Sequence, residues 1–419
     1  MYFTYTFILT AGLLVTFPFY VVRFRKYLPT LSDRLGFLRL PQLHGVIWVH
    51  AVSVGEVKAI ERLVERLRQQ FPQRRIVVST ATPTGQELAR RRSDIIDHTF
   101  YFPIDLPFCI RSTVDRIDPS MIIIAETEIW PNFLRICRGR NIPVVMINGR
   151  ISDKSFARYR LVRRWLRRVF EDYTMMGMQS EMDRKRIEAI GADPQKVTVF
   201  GNLKYDVVAG GQAIDALLTD LLSKWNEIWI AASTMPEEEE LVLDAFAELQ
   251  KTNRKLKLII APRHADRFDA VAEIVKKRGM PYIRRSLLNS HPGGGDFAVL
   301  LLDTIGELSA LFQYATVVFM GGTLVPKGGH NILEPARHCK PIVFGPHMEN
   351  FRDIARLFLE TKAAVQIQTP GELAPAIRSI LSDTQLASRL GRNALTIIEQ
   401  NTGATDRVLR FLQPIEARQ

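Results

Sequence analysis

Three carboxylates stand where apolar runs of the chain break off. Glu56 lies in Val49-His50-Ala51-Val52-Ser53-Val54-Gly55-Glu56, and Glu126 and Glu128 lie in Ala125-Glu126-Thr127-Glu128-Ile129-Trp130-Pro131-Asn132. A carboxylate at the carboxyl end of a buried strand can take a proton from a bound hydroxyl. Each also has a plainer reading. Ser53 and Glu56 have the spacing of a capping box, and acids ahead of Pro131 suit the first turn of a helix. Strand alternation would send Glu126 and Glu128 to one side together, which is costly beside a buried run unless something binds them. Lys204, in Gly201-Asn202-Leu203-Lys204-Tyr205-Asp206, and Arg263, in Pro262-Arg263-His264, are cations at two further run ends, suited to phosphate or carboxylate.

The longest such stretch follows the run Ala315 to Met320 and reads Gly321-Gly322-Thr323-Leu324-Val325-Pro326-Lys327-Gly328-Gly329-His330-Asn331-Ile332-Leu333-Glu334-Pro335-Ala336. Glycines between a strand and a capped helix bring backbone N–H groups against an anion, here expected to be a nucleotide. H-E-x-x-H, G-x-x-x-x-G-K-[ST] and Asp-x-Asp are absent, so a zinc protease, a P-loop NTPase and a transferase built on a metal-bound Asp pair lack their signatures. His330, Glu334 and His338 have metal-ligand spacing, but cap and nucleotide-ligand roles suit Asn331 and Glu334 better, and no metal is expected.

Residues 1–210 hold 32 Lys and Arg against 20 Asp and Glu, and the remainder holds 24 against 24, so the whole excess of +12 lies in the first half. That half should meet a polyanion, nucleic acid or an anionic lipid surface. Phe3 to Val22 carries no charge and is followed by Arg23, Arg25 and Lys26, which selects the lipid surface over nucleic acid. The run is long enough to span a bilayer, with the positive-inside rule keeping the body in the cytoplasm. A helix lying in the interface or packed on the body is the rival, because Thr4, Thr6, Thr10, Thr16 and Pro18 weaken the run. Cys109, Cys137 and Cys339 are too scattered for a disulfide framework.

The elements that must position these groups are β-branched apolar runs with helical segments between them. They are Val46 to His50, Ile76 to Thr80, Met121 to Ala125, Val144 to Ile147, Thr174 to Met178 and Val197 to Phe200, then Ile228 to Ala232, Leu256 to Ala261, Val299 to Leu302, Thr316 to Met320, Ile342 to Phe344 and Ala364 to Ile367. Continuous apolar strands predict parallel sheets covered on both faces, hence two doubly wound α/β domains facing a cleft. The break is expected near Val207 to Gln212, before a helix at Ala213 to Ser223. One helix is predicted over Ser155 to Tyr173, with Tyr159, Val162, Leu166 and Val169 on one stripe and Arg160, Arg163, Arg164, Arg167 and Arg168 beside it, facing solvent or lipid phosphates.

Taken in series, the uncharged N-terminal segment, the Glu56 motif, the Glu126 to Asn132 motif, Asn148-Gly149-Arg150-Ile151-Ser152, Gly201 to Asp206, Pro262-Arg263-His264 and Gly328 to Pro335 resemble the 3-deoxy-D-manno-octulosonic acid (Kdo) transferase family of lipopolysaccharide synthesis. The resemblance implies a GT-B glycosyltransferase with an N-terminal membrane anchor (residues 1–26), an acceptor domain (27–208) and a donor domain (209–419) whose last helix could pack back on the first. It implies Kdo transfer from CMP-Kdo to the lipid A precursor lipid IVA at the cytoplasmic face of the Gram-negative inner membrane. Glu56 falls on the family's catalytic base, and Glu126 and Lys204 fall on groups that assist the transition state. Pro262 and Arg263, then Ile305, Gly306 and Glu307, then Asn331, Ile332, Leu333 and Glu334 fall on donor-binding positions. Glu128, Arg150, Arg163, Arg164 and Arg167 are expected on the acceptor side. CMP-Kdo serves as donor substrate, and no cofactor is expected. An epimerase of GT-B shape, another membrane-associated glycosyltransferase and a non-catalytic membrane-binding module are the alternatives.

Overall fold

The computed structural model describes residues 2–23, 25–206, 214–290 and 297–416, and for residues 17–27 the backbone only. The apolar runs become two seven-stranded, wholly parallel sheets. The first comprises β1 (Val46–His50), β2 (Ile76–Thr80), β3 (His98–Tyr101), β4 (Pro119–Ala125), β5 (Val144–Gly149), β6 (Met175–Met178) and β7 (Val197–Val199), in the order β3-β2-β1-β4-β5-β6-β7. The second comprises β8 (Glu227–Thr234), β9 (Leu256–Pro262), β10 (Tyr282–Arg284), β11 (Val299–Leu301), β12 (Val317–Met320), β13 (Ile342–Phe344) and β14 (Val365–Gln366), in the order β10-β11-β9-β8-β12-β13-β14.

Burial on both faces explains the unbroken apolar runs. Val46 and Trp48 of β1 join one core with Ile122 and Ile124 of β4, while Ile47 and Val49 join another with Met121, Ile123 and Ala125. Alternate residues thus point to opposite faces and both faces are dry. β3 and β10, each at a sheet edge, are the two strands the apolar pattern did not announce. An edge strand is half covered and short, so it needs no continuous apolar run.

The chain divides into one unit of Met1–Val208 with Asn401–Gln419 and a second of Ala209–Gln400, so the final helix, Ala404–Glu416, belongs with the first sheet. There it packs on the helix Val54–Gln70 and buries Ala404, Val408, Leu409 and Leu412 among the residues behind β1. The expected break at Val207 to Gln212 lies outside the described residues, and the helix that follows runs over Ala216–Ser223.

One expectation about helices needs correction. The predicted helix Ser155 to Tyr173 is two, Asp153–Leu161 and Arg163–Phe170, interrupted at Val162. Leu166 and Val169 are buried as expected, but Leu161 and Val162 are exposed, so the stripe does not continue through the break. The N-terminal run does form a helix, Tyr2–Arg23. Among the described residues, however, no helix is long and apolar enough to cross a membrane. Its polar side chains dilute the apolar character and are engaged by the protein. Tyr2 donates to Asp172 (2.6 Å), Thr6 exchanges hydrogen bonds with Asn132 (2.9 and 3.1 Å), and Tyr5 meets the Trp165 ring at 5.8 Å. One side of the helix is thereby docked on the first unit, leaving Phe3, Phe7, Ile8, Leu14 and Val15 exposed.

Candidate active site

In the first unit the candidate groups come from four strand ends. β1 passes through Ser53 into the helix Val54–Gln70, whose first turn carries Glu56. The Glu56 carboxylate accepts from the Val52 N–H (2.7 Å) and from the Ser53 hydroxyl (3.0 Å). This differs from a capping box, because the Ser53 hydroxyl bonds the carboxylate and not a backbone N–H of the first turn. Burial, foremost, then the neighbouring Glu126 and also Glu128 push the Glu56 carboxyl up to about 7, against the two hydrogen bonds that favour its charged form.

β4 and β1 are neighbours in register, His50 beside Ile124, which brings Glu126 next to Glu56. Glu126 does not continue the strand. It has φ 62°, a left-handed conformation that a non-glycine residue holds only under tertiary constraint, so alternation does not govern Glu128. Both carboxylates nevertheless act on Glu56. Glu128 is itself pushed up to about 7, chiefly by burial and further by Glu126. Thr127 ties this loop to β5 by donating to the Arg150 carbonyl (2.6 Å) and accepting from the Arg150 N–H (2.8 Å).

Lys204 arrives from the far edge of the sheet. After β7 the chain turns back, with the Phe200 and Gly201 N–H groups on the Met178 carbonyl (3.1 and 3.2 Å) and the Leu203 N–H on Asn148 Oδ1 (3.0 Å). The half-buried Lys204 lies in the single turn Leu203–Asp206, which packs on the helix carrying Glu56. Asp206 closes the turn by accepting from the Gly403 N–H (2.6 Å) and the Thr405 N–H (2.5 Å) at the start of the last helix, and Arg407 donates to the Phe200 carbonyl (2.6 Å). Asn148 and Asp206 were not singled out from the sequence; the signal available was Asn148's place at a strand end, where φ is 55°. Arg163, Arg164 and Arg167 are exposed on the helix Arg163–Phe170.

In the second unit, Pro262 ends β9 buried and Arg263 is exposed, its N–H held by the Thr234 carbonyl (2.9 Å). Ile305 is exposed and Gly306 takes φ 99°. Glu307 is buried and its carboxylate is occupied by Arg285 (2.7 and 3.1 Å) and the Thr304 hydroxyl. Ile332 and Leu333 have buried side chains, which leaves only their backbone to meet a ligand. Asn331 accepts from the Leu333 N–H (3.1 Å) and donates to Glu334 (3.1 Å), opening the short helix Leu333–Arg337.

The glycine-rich loop, expected to present its N–H groups to a nucleotide, is in part filled by the protein itself. The N–H groups of Gly322, Thr323 and Leu324 do not face an open site, because the buried Glu238 carboxylate accepts all three (2.6, 2.9 and 2.9 Å). Among the described residues no three His, Cys, Asp or Glu side chains gather as a metal-ligand set.

Residues 29–207 match the family model described as 3-deoxy-D-manno-octulosonic-acid transferase (kdotransferase). The 3-deoxy-D-manno-octulosonic acid transferase of Haemophilus influenzae is 35% identical over 401 residues, 94% of this chain and 93% of that protein. The chain belongs to the 3-deoxy-D-manno-octulosonic acid transferase family. A second relative of the same description, from Chlamydophila psittaci, is 31% identical over 81% of this chain and 78% of its own length. This membership makes the chain a glycosyltransferase that handles Kdo. The crystal structure of Acinetobacter baumannii MurG shares the fold with a TM-score of 0.57 at 12% identity, covering 88% of this chain and 99% of that one. The two parallel α/β sheets are thus of GT-B type.

Proposed function

We propose that this Kdo transferase moves Kdo from CMP-Kdo to the lipid A precursor lipid IVA, with inversion at the anomeric carbon and with Glu56 as general base. The observation that carries this reading is the Glu56 carboxyl, held by Val52 and Ser53 and raised to about 7 by its burial and by the two further carboxyls beside it. A base whose pKa lies near the working pH is ionised enough to act and basic enough to take a hydroxyl proton. As Glu56 removes that proton, the acceptor oxygen forms its bond to the anomeric carbon from the face opposite CMP. The bond from that carbon to the phosphate oxygen breaks, and CMP leaves with the electron pair. Lys204 and Arg263 are the cations assigned to the charge that develops on the leaving phosphate, and Glu126 to the positive charge that develops on the sugar ring.

The first unit would meet the acceptor and the anionic inner-membrane surface. Support comes from the apolar side chains left exposed on the docked N-terminal helix, with Phe3 84% and Val15 79% exposed, and from the exposed Arg163, Arg164 and Arg167. Apolar residues with adjoining arginines suit a helix lying in the headgroup region, with the body on the cytoplasmic side. Glu128, and Arg150 on the loop tied to it through Thr127, are the groups assigned to hold the acceptor's polar head. The test is to incubate the purified protein with CMP-Kdo and lipid IVA and resolve products by mass spectrometry. Kdo-bearing lipid is expected from the wild type, and a rate lower by about a hundredfold or more from Glu56→Gln. Wild-type turnover by that variant would remove Glu56 as the base.

A further inference from the structure

We infer that Glu238 is a positioning residue for the donor site: its buried carboxylate sets the conformation of the glycine-rich loop from which the donor-binding segment Asn331 to Glu334 emerges. The inference rests on the reading of that segment as the CMP-Kdo site. Glu238 begins the helix Glu238–Gln250 and is fully buried. One carboxylate oxygen accepts from Met235 (3.0 Å) and Gly322 (2.6 Å), the other from Thr323 and Leu324 (both 2.9 Å). No cation pairs with it among the described residues; four backbone N–H groups balance its charge.

These four bonds join the loops after β8 and β12. The end of β8 and the loop that follows it are bent at two non-glycine residues with positive φ, Ser233 (φ 54°) and Glu237 (φ 79°). At Gly321 the two backbones come so close that a Cβ would lie 2.5 Å from the Ser233 carbonyl oxygen. From Gly322 the order is passed along the loop, because the Gly322 carbonyl accepts from the Gly329 N–H (2.9 Å), two residues before Asn331. Thr323 supplies a second anchor, donating to the Met320 carbonyl (2.6 Å) and accepting from the Gly345 N–H (2.8 Å).

Glutamine keeps the shape of Glu238 but turns an NH2 toward two N–H donors, so half of the arrangement is lost. If the loop then holds its binding conformation only about one-tenth of the time, apparent donor affinity falls about tenfold. The test is titration of wild type and Glu238→Gln with CMP by calorimetry, with steady-state transfer and peptide-resolved hydrogen exchange alongside. The expected result is slow exchange at Gly322 to Leu324 in the wild type and fast exchange in the variant. CMP Kd and the CMP-Kdo KM should rise about tenfold, with kcat and acceptor KM changed less than about threefold. Should Glu238→Gln not fold, Thr323→Val removes the second anchor and should raise the CMP Kd in the same way. Unprotected amides at Gly322 to Leu324 in the wild type, or unchanged CMP affinity in a folded variant, overturns the inference alone. A wild type that binds no CMP overturns the donor-site reading on which it rests.

Discussion

The acid limb of the pH–rate profile carries the sharpest consequence of the carboxylate cluster. With its carboxyl at about 7, Glu56 is ionised to about one-tenth at pH 6 and about nine-tenths at pH 8, so kcat/KM should rise about tenfold between them. An isolated glutamate would have completed its titration well below that range, near its ordinary value of 4.5. Burial is the largest cause of the displacement and the Glu126 charge comes next, so Glu126→Gln removes the second and keeps the first. The limb should move to lower pH by about one unit, equivalent to about 1.4 kcal/mol, without reaching 4.5. Glu126→Gln will also lower the rate itself if Glu126 steadies the sugar, so the readout is the midpoint of the limb and not its height. The assay is radiolabelled or mass-resolved Kdo transfer at limiting substrate from pH 5 to 9. A flat wild-type profile, or a limb that Glu126→Gln leaves in place, refutes the assignment.

Three further outcomes follow from the same geometry. Glu128, raised in the folded state, holds its proton where an unfolded chain has lost it, so its contribution to stability is complete below about 4.5 and declines as pH rises toward 7. Glu128→Gln should therefore gain on the wild type by on the order of 1 kcal/mol between pH 5 and 8, read from denaturant midpoints; a gap independent of pH contradicts it. Asp206→Ala frees the Lys204 turn from the last helix and should lower kcat about tenfold with the CMP-Kdo KM little changed, while an equal loss in both would show a general loss of structure. Gly321→Ala forces a Cβ against the Ser233 carbonyl and should cost about 1–3 kcal/mol of stability in thermal unfolding; an unchanged Tm would show that the two loops are not in register as described.

Much of the fold was legible because both sheets are parallel and doubly covered. Their central strands had to be apolar at every position, and runs such as Met121 to Ala125 can be read without knowing what covers them. The edge strands β3 and β10 lacked that requirement and went unread. Gly321 to Ala336 announced a tight loop between strand and helix but not which anion would take its N–H groups. Glu238 does so across about eighty residues of chain, a distance over which local patterning carries no information. The N-terminal run showed its lack of charge, but Tyr2, Tyr5 and Thr6 acquire partners only when Asp172, Trp165 and Asn132 are folded beneath them.

From the amino-acid order alone came the element types, the two-sheet class, the family likeness and the strand ends at which Glu56, Glu126, Lys204 and Arg263 stand, because these depend on hydropathy period and local backbone rules. Only tertiary structure decided how those ends are furnished. It turned Glu126 left-handed beside Glu56, led Lys204 back across β6 and β5, braced it with the chain's last helix and filled the glycine-rich loop with Glu238. Each of these joins segments far apart in sequence, and such contacts arise from packing two strand ends together, which no periodicity within either segment encodes.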